Sequence, residues 1–343
     1  MASIPEAISG DPTLNAIDAA IISMQDRDIR PYFGMSMAGH SCARRCWYQF
    51  RWCAKDNLSA QSIKAIDDGH RGELLQAERL RLVPGITLHT ENDKGEQFTL
   101  NAIGHMKGHI DGAIIGLLQA KNTWHVWEHK QCNEKKCLLL AKLKHEYGEK
   151  NALERWDNVY FVQSQFYMRY TGMDRHYLTV ATPGGRSTIS CRTEYQPDKA
   201  DYFEKRAGMI IYSSEPPLRI SDDPSWYECK YCPFYEVCHG QEAPLVTCRS
   251  CAHVTPDPQG GWKCERFGHW LTISAQKEAC AQHRYIPVLL STFAVMVDAD
   301  ASENWVEYRN LATNALFMNC GTVYRSADIH GCQDKSQLGA FGG

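Results

Sequence analysis

The sequence predicts a mixed α/β core, a central sheet flanked by helices, followed by a small cysteine-rich metal-binding C-terminal module. Three observations carry that prediction. Runs of strand composition at about 98–105, 109–115 and 125–130 are interleaved with helical stretches at about 62–82, 135–149 and 158–170. Turn signals interrupt the strands at 92–95 and 121–123. After Glu215-Pro216-Pro217 the chain becomes rich in cysteine, proline and aromatic residues and its periodicity fades, which places a boundary near 215–245.

Element by element, a short helix is expected around 14–24, with polar punctuation over 26–30. Residues 42–53 (Cys-Ala-Arg-Arg-Cys-Trp-Tyr-Gln-Phe-Arg-Trp-Cys) read as an amphipathic helix carrying arginines and aromatics. The 62–82 helix is interrupted by Gly69 and Gly72. Beyond the three strands and two helices already named, a hairpin is expected at 177–181 and 187–192 around Pro183-Gly184-Gly185, then a helix at 199–212. Val295-Met296-Val297 and Trp305-Val306-Glu307-Tyr308 suggest short strands, and the small, polar residues 336–343 are expected to be disordered. The expected organisation is therefore 1–240 core, 241–335 metal-binding module and 336–343 tail, without internal repeats.

The bulk numbers admit this plan. At 343 residues, 43% hydrophobic and 22% charged, the chain can bury a sizeable core plus a smaller module. Its formal charge of −3 does not advertise a polyanion partner, so nucleic-acid binding would need a local basic groove. Arg44, Arg45 and Arg51, with Lys135, Lys136, Lys142 and Lys144, are candidates for that groove. The N-terminus shows neither a basic n-region nor an apolar h-region, and no run reaches the roughly 18 apolar residues of a membrane span. The expectation is a cytoplasmic protein. In a reducing compartment, 15 cysteines in clusters point to metal ligation over disulfides.

Chemistry concentrates on the strands. Glu128 and Lys130 stand two apart and share one face of a strand. Asp111, in Gly108-His-Ile-Asp-Gly112, lies on the preceding strand, which a turn near 117–123 would pair alongside. Two carboxylates can hold a divalent cation, with the ammonium where a phosphate or a water on the metal would lie. Glu73, in Gly69-His-Arg-Gly-Glu73 on the long helix, offers a third oxygen donor, as hard cations prefer. His129 points its ring to the other face, while its backbone carbonyl can still face the metal. Gln163 and Tyr167, at i and i+4 on a helix, address one ligand together. Each residue taken alone reads as an ordinary solvated surface, and Trp124, Trp127 and Trp156 read as core. The order of helix with Glu, strand with Asp, strand with Glu-x-Lys and helix with Gln-x3-Tyr is the informative feature.

That order resembles the PD-(D/E)XK nuclease superfamily, in particular its RecB-like and lambda-exonuclease-like branch, over about 42–238. The resemblance implies a restriction-endonuclease-like core and a Mg²⁺- or Mn²⁺-dependent DNA exonuclease acting on single strands or duplex ends. Glu73, Asp111 and Glu128 would bind the metal, Lys130 would orient the attacking water and stabilise the transition state, and Gln163 with Tyr167 would contact DNA or support the lysine. Many RecB-like members carry a histidine where Glu73 aligns. The resemblance also implies a bacterial or phage setting in recombination, repair or phage DNA processing, with a possible recombination partner protein.

Two cysteine sets remain. Cys229-x2-Cys232-x5-Cys238 offers three soft thiolates and needs a fourth ligand, for which Cys42, Cys46 and Cys53 lie upstream. This pattern resembles the CRISPR-associated exonuclease branch and the bacterial recombination helicase–nucleases, in which one cysteine before the core and three after it hold a [4Fe–4S] cluster. That resemblance selects Cys42, with Cys46 in reserve; zinc on the same ligands is the competing reading. Cys248-x2-Cys251-x12-Cys264-x15-Cys280 has zinc-ribbon-like spacing, with His283, or His269, as substitutes for Cys280. Cys132, Cys137, Cys191, Cys320 and Cys332 show no usable spacing. Two other function classes stand beside the nuclease. One is a non-catalytic nucleic-acid-binding factor on a nuclease scaffold, which has no need of Asp111, Glu128 and Lys130 together. The other is a redox-sensing iron–sulfur regulator, which cluster oxidation that changes DNA affinity without cleavage would favour.

Overall fold

The computed structural model describes residues 10–24, 29–55 and 58–340. Part of the 26–30 segment and the last three residues of the expected tail lie outside them. The central sheet is mixed, as its sequence implied, in the order β2 (Thr87–His89), β5 (Gly112–Ile115), β6 (His125–Gln131), β7 (Arg175–Ala181), β8 (Thr188–Glu194). Only β6 and β7 run parallel; the other pairs are antiparallel. A parallel pair needs a long crossover, and three helices supply it: α4 (Glu134–Tyr147), α5 (Glu149–Trp156) and α6 (Asn158–Thr171). Asn133 caps α4 and Asp157 caps α6, each side chain accepting from helix amides that would otherwise go unpaired. The expected single helix at 135–149 breaks earlier, because Gly148 takes φ +79 and starts α5, which buries Ala152, Leu153 and Trp156.

The two faces of the sheet are covered differently. Leu88, Ile114 and Trp127 pack against Ala77 and Leu80 of α3 (Ala60–Arg81). Val126, Leu178, Val180 and Cys191 face Leu140, Leu153, Phe161 and Phe166 of α4 to α6. Glu128 and Lys130 alternate onto this second face, in register with Leu178 and Val180.

The strands expected at 98–105 and 109–115 are subdivided. β3 (Thr99–Asn101) and β4 (Met106–His109) form a separate sheet with β1 (Phe33–Gly34), in the order β1-β4-β3. The chain leaves that sheet at Ile110–Asp111 and enters the central one at Gly112. There β5 lies so close to β2 that a Cβ on Gly112 would stand 2.6 Å from the His89 carbonyl oxygen. Asp111 is therefore held at a junction between two sheets.

Helix α1 (Pro12–Ser23) lies against α3, where Lys64 pairs with Asp18. Helix α2 (Ala43–Phe50) uses the Cys42 sulfur as its N-terminal acceptor, and α7 (Pro197–Tyr212) packs against α2. The C-terminal third adds a ribbon, β9 (Val254–Pro256), β10 (Trp262–Cys264) and β11 (His269–Trp270), and a sheet of β12 (Ala294–Asp300), β13 (Trp305–Asn310) and β14 (Leu316–Asn319). The boundary expected at 215–245 does not divide the interior. Phe33, Trp47 and Phe50 share one buried cluster with Val254, Trp262, Tyr285, Leu289 and Phe317.

The expected tail is corrected too. Leu338 is 1% exposed, and the Asn310 side chain donates to the Lys335 and Leu338 carbonyls, so the chain is anchored as far as Leu338. Among the described residues no helix is long and apolar enough to cross a membrane.

Candidate active site

Three elements bring the acidic residues together. Asp111, at the junction before β5, and Glu128, on β6, are both buried, and Lys130 donates to Glu128 Oε1. Glu73 comes from α3, which approaches β6 through Gly72, where a Cβ would stand 1.9 Å from the Gln131 side-chain nitrogen. The His129 amide donates to Asp111 Oδ2 at 2.7 Å and fixes that carboxylate. The His129 ring lies on the opposite face, 3.0 Å from Thr179 Oγ1, so the backbone amide is what His129 presents to the carboxylates. Thr179 Oγ1 also accepts from Trp127 Nε1 at 3.0 Å and lies 3.3 Å from the Glu128 carbonyl, pinning β6 to β7.

Burial and mutual repulsion govern the charges. Burial, then Asp111, raises Glu73 to about 7 against the pull of Lys130. Burial, then Asp111, raises Glu128 to about 8, again against Lys130. Asp111 is raised by burial, opposed by Lys130 and the His129 amide. Burial opposes the Lys130 charge, but Glu128 and Asp111 outweigh it and hold its pKa above the ordinary lysine value. Glu128 Oε2 is buried with no hydrogen-bond partner among the described residues. An orphaned carboxylate oxygen beside two more raised carboxyls fits a hard divalent cation.

These shifts set a pH dependence with a definite sign. The folded, metal-free protein holds protons on Glu73 and Glu128 that the unfolded chain has lost, from the ordinary carboxylate range up to about 8. Their contribution to stability therefore falls as pH rises through that window. Below about pH 6.5, His40, His105, His129, His176 and His283, all lowered by burial, oppose this trend. Metal-free protein should therefore melt lower at about pH 8.5 than at about pH 7, and Mg²⁺ should remove that difference. The apparent Mg²⁺ affinity should rise by about tenfold per pH unit for each proton displaced. Thermal melts and Mg²⁺ titrations across that range check both.

The helix α6 face closes the site. Gln163 Nε2 donates to Tyr167 Oη at 2.6 Å, and burial followed by Glu128 raises the Tyr167 hydroxyl's pKa. Tyr160 is a residue that sequence reasoning missed. Its ring lies 5.5 Å from Lys130 Nζ and 5.1 Å from Lys136 Nζ, a cation–π stack between two lysines. Positions 160, 163 and 167 share one helix face, which was the available signal.

The candidate groove residues separate. Arg44 and Arg51 are 8% and 2% exposed, so neither lines an open groove. Lys136 pairs with Asp157, Lys144 with Glu149 and Lys142 with Glu146, while Lys135 is exposed. Trp127 and Trp156 are core, but Trp124 is 40% exposed and stacks on His89.

The cysteine sets gather around two cavities. One is lined by Cys42, Cys229, Cys232 and Cys238 with Arg44 and Arg45. Burial, then the Cys238 and Cys42 thiols, raises Cys229. Cys46 is 2% exposed and its sulfur donates to the Met37 carbonyl at 3.2 Å, outside that lining. The other cavity is lined by Cys248, Cys251, Cys264 and Cys280 with His283. Burial, then Cys251, Cys280 and Cys264, pushes the Cys248 thiol up to about 12. His283 Nε2 is already within 3.0 Å of the Thr247 carbonyl, and His269 is exposed on the ribbon edge.

Among the described residues no group of three or more His, Cys, Asp or Glu side chains forms a ready-made metal cage. Each cavity is nonetheless lined by four cysteines, with Arg44 and Arg45 also lining the first. Cys132 and Cys137 do have a spacing logic. Their sulfurs meet at 3.2 Å across the Asn133 cap, where an apolar pair staples the start of α4. Cys191 and Cys320 are buried and Cys332 half-buried.

No protein-family model matches the chain, and no curated protein matches it. Among solved structures, the chain is similar to SSO0001, at 17% identity over 66% of this chain and 96% of that one, with a TM-score of 0.38. It is also similar to LHK-Exo, an alkaline exonuclease from Laribacter hongkongensis solved in complex with dAMP. That likeness is 13% identity over 57% of this chain and 90% of that one, TM-score 0.38. A phage-related exonuclease from Haemophilus somnus is similar at 12% identity over 43% and 69%, TM-score 0.31. The functional reading rests on the residues of the site itself.

Proposed function

We propose that the protein is a metal-dependent DNA exonuclease of the PD-(D/E)XK type with a RecB-like core. The observation that carries this reading is the buried meeting of Asp111, Glu128 and Lys130, with Glu128 Oε2 left unpartnered. Glu73, Asp111 and Glu128 would hold Mg²⁺ or Mn²⁺, with His129 contributing through its backbone. Mg²⁺ keeps several waters and takes few protein ligands, which accords with carboxylates that converge without closing a cage. Bound there, the cation supplies positive charge to a scissile phosphate and acidity to a water.

The side chains supply the rest. Lys130, held charged by Glu128 and Asp111, adds positive charge where the phosphoryl oxygens become more negative. The His129 amide keeps Asp111 from rotating away. Gln163 donates to the buried Tyr167, and the pair braces the face that carries Glu128 and Lys130.

In the same reading, Cys42, Cys229, Cys232 and Cys238 hold a [4Fe–4S] cluster that clasps the two ends of the core. Cys42 is chosen over Cys46 because only Cys42 lines the cavity. Cys248, Cys251, Cys264 and Cys280 hold Zn²⁺, with Cys280 chosen because the Cys248 thiol feels it along with Cys251 and Cys264. A cytoplasmic role in recombination, repair or phage DNA processing, with DNA and a recombination protein as partners, follows from the resemblance.

The test is digestion of 5′- and 3′-end-labelled single- and double-stranded DNA by anaerobically purified protein with Mg²⁺ or Mn²⁺. Stepwise end-directed products, abolished by EDTA, are expected. A cluster-loaded protein that binds DNA and leaves it intact would make the non-catalytic scaffold the better reading.

A further inference from the structure

Two arginines are buried at the seam between α2 and the ribbon, far from any use in the proposed nuclease chemistry. Arg249 stands inside the Cys248–Cys251 knuckle and is 1% exposed; Arg51, just after α2, is 2% exposed. The Arg249 guanidinium donates to the Phe50 carbonyl at 2.9 Å, the Pro31 carbonyl at 2.7 Å and Gln276 Oε1 at 2.9 Å. Arg51 donates to the carbonyls of Arg249, Val254 and Ser213 at 3.2, 3.1 and 3.3 Å. Both guanidinium groups face Trp262, at 4.5 and 5.1 Å from its ring centroid.

Every one of those acceptors is neutral. Among the described residues neither arginine forms an ion pair with a carboxylate. Two buried cations side by side without an anion are costly in a low-dielectric interior. The negative charge nearest in sequence is that of the ribbon thiolates. Four thiolates around one divalent cation leave two negative charges in the ribbon, where Arg249 stands between two of the would-be ligands.

A second observation ties this seam to α2. Trp52 takes φ +55, a left-handed conformation that a bulky side chain seldom adopts. It persists only where its surroundings over-determine it. The Arg249 guanidinium lies 3.7 Å from the Trp52 ring centroid, and Trp52 Nε1 donates to the Arg30 carbonyl at 2.9 Å. Phe50, whose carbonyl Arg249 holds, ends the helix that Cys42 begins.

We propose that Arg249 and Arg51 are positioning residues that latch helix α2 to the metal-loaded ribbon, so that zinc in the ribbon holds the Cys42 end of the other cysteine cavity in place. The latch rests on the reading of Cys248, Cys251, Cys264 and Cys280 as a zinc site. Loading the ribbon provides the counter-charge that lets both arginines stay buried, and the arginines in turn strengthen the metal's hold. The coupling is reciprocal by linkage.

The test uses the full chain purified with its metals. Zinc is titrated out with a chromophoric chelator, while iodoacetamide labelling of Cys53, a buried thiol beside Trp52, is followed by mass spectrometry. Stripping zinc from wild type should speed Cys53 labelling by at least about tenfold, and Arg249→Met should weaken zinc retention by about 10- to 100-fold. Arg249→Lys should recover part of that loss. Arg51→Met and the wild-type stripping arm keep the test open if Arg249→Met does not fold. Zinc retention unchanged in the folded variants, or Cys53 protected after stripping, would overturn the latch and leave the zinc site standing. A wild type that never holds zinc would overturn the zinc reading itself, and the latch with it.

Discussion

Replacing Lys130 with alanine is expected to lower DNA cleavage by about a thousandfold or more while leaving the fold intact. The ammonium pairs with the buried Glu128 and offsets Asp111 and Glu73 as well, so its removal takes away the main positive charge acting on all three carboxyls. Lys136 is engaged by Asp157 on the far side of the Tyr160 ring. Breaking a buried ion pair often costs several kcal/mol, because it strands a charge. Here Glu128 is already raised to about 8, so at neutral pH it can keep a proton instead. The stability loss should then be only about 1–2 kcal/mol by denaturant unfolding. Turnover equal to wild type in a folded Lys130→Ala protein would remove the site assignment.

The second large effect is expected at the first cysteine cavity. Cys42→Ser or Cys232→Ser should abolish the broad absorbance at about 400 nm of an anaerobically purified protein and lower its melting temperature. Cys46→Ser should keep the chromophore, since that sulfur already donates to a backbone carbonyl and lies outside the cavity lining. Iron and zinc analysis on the same samples decides between the two metals. A colourless wild type that holds zinc at these thiols would defeat the cluster reading, and loss of colour in Cys46→Ser would exchange the roles of Cys42 and Cys46.

Much of the arrangement was legible because it depends on local periodicity. Strand alternation puts Glu128 and Lys130 on one face, and the i,i+4 rule puts Gln163 beside Tyr167. Both follow from backbone geometry without knowledge of any distant contact. What stayed hidden depends on contacts between remote segments. Arg51 reads as a groove arginine on an amphipathic helix, and only the ribbon, some two hundred residues later, buries it. How the segment beyond residue 240 packs was hidden for the same reason: Trp262 and Tyr285 complete a cluster that begins at Phe33. Composition marks where the character of the chain changes, and says nothing about whether the two parts share a core. The break at Gly148 was missed because the residues on both sides are good helix formers, and a single glycine decided the matter.

Strand β6 has two neighbours on each side in the central sheet. Its amides and carbonyls are therefore shielded from both edges, and opening them requires the sheet to part on one side or the other. Backbone of this kind belongs to the slowest-exchanging part of a protein, the last to open in native-state fluctuations. The carboxylate and ammonium on that strand thus ride on the most durable piece of the molecule. Motion needed to admit or release a substrate falls to the segments around them, and the reacting geometry need not be rebuilt with each turnover.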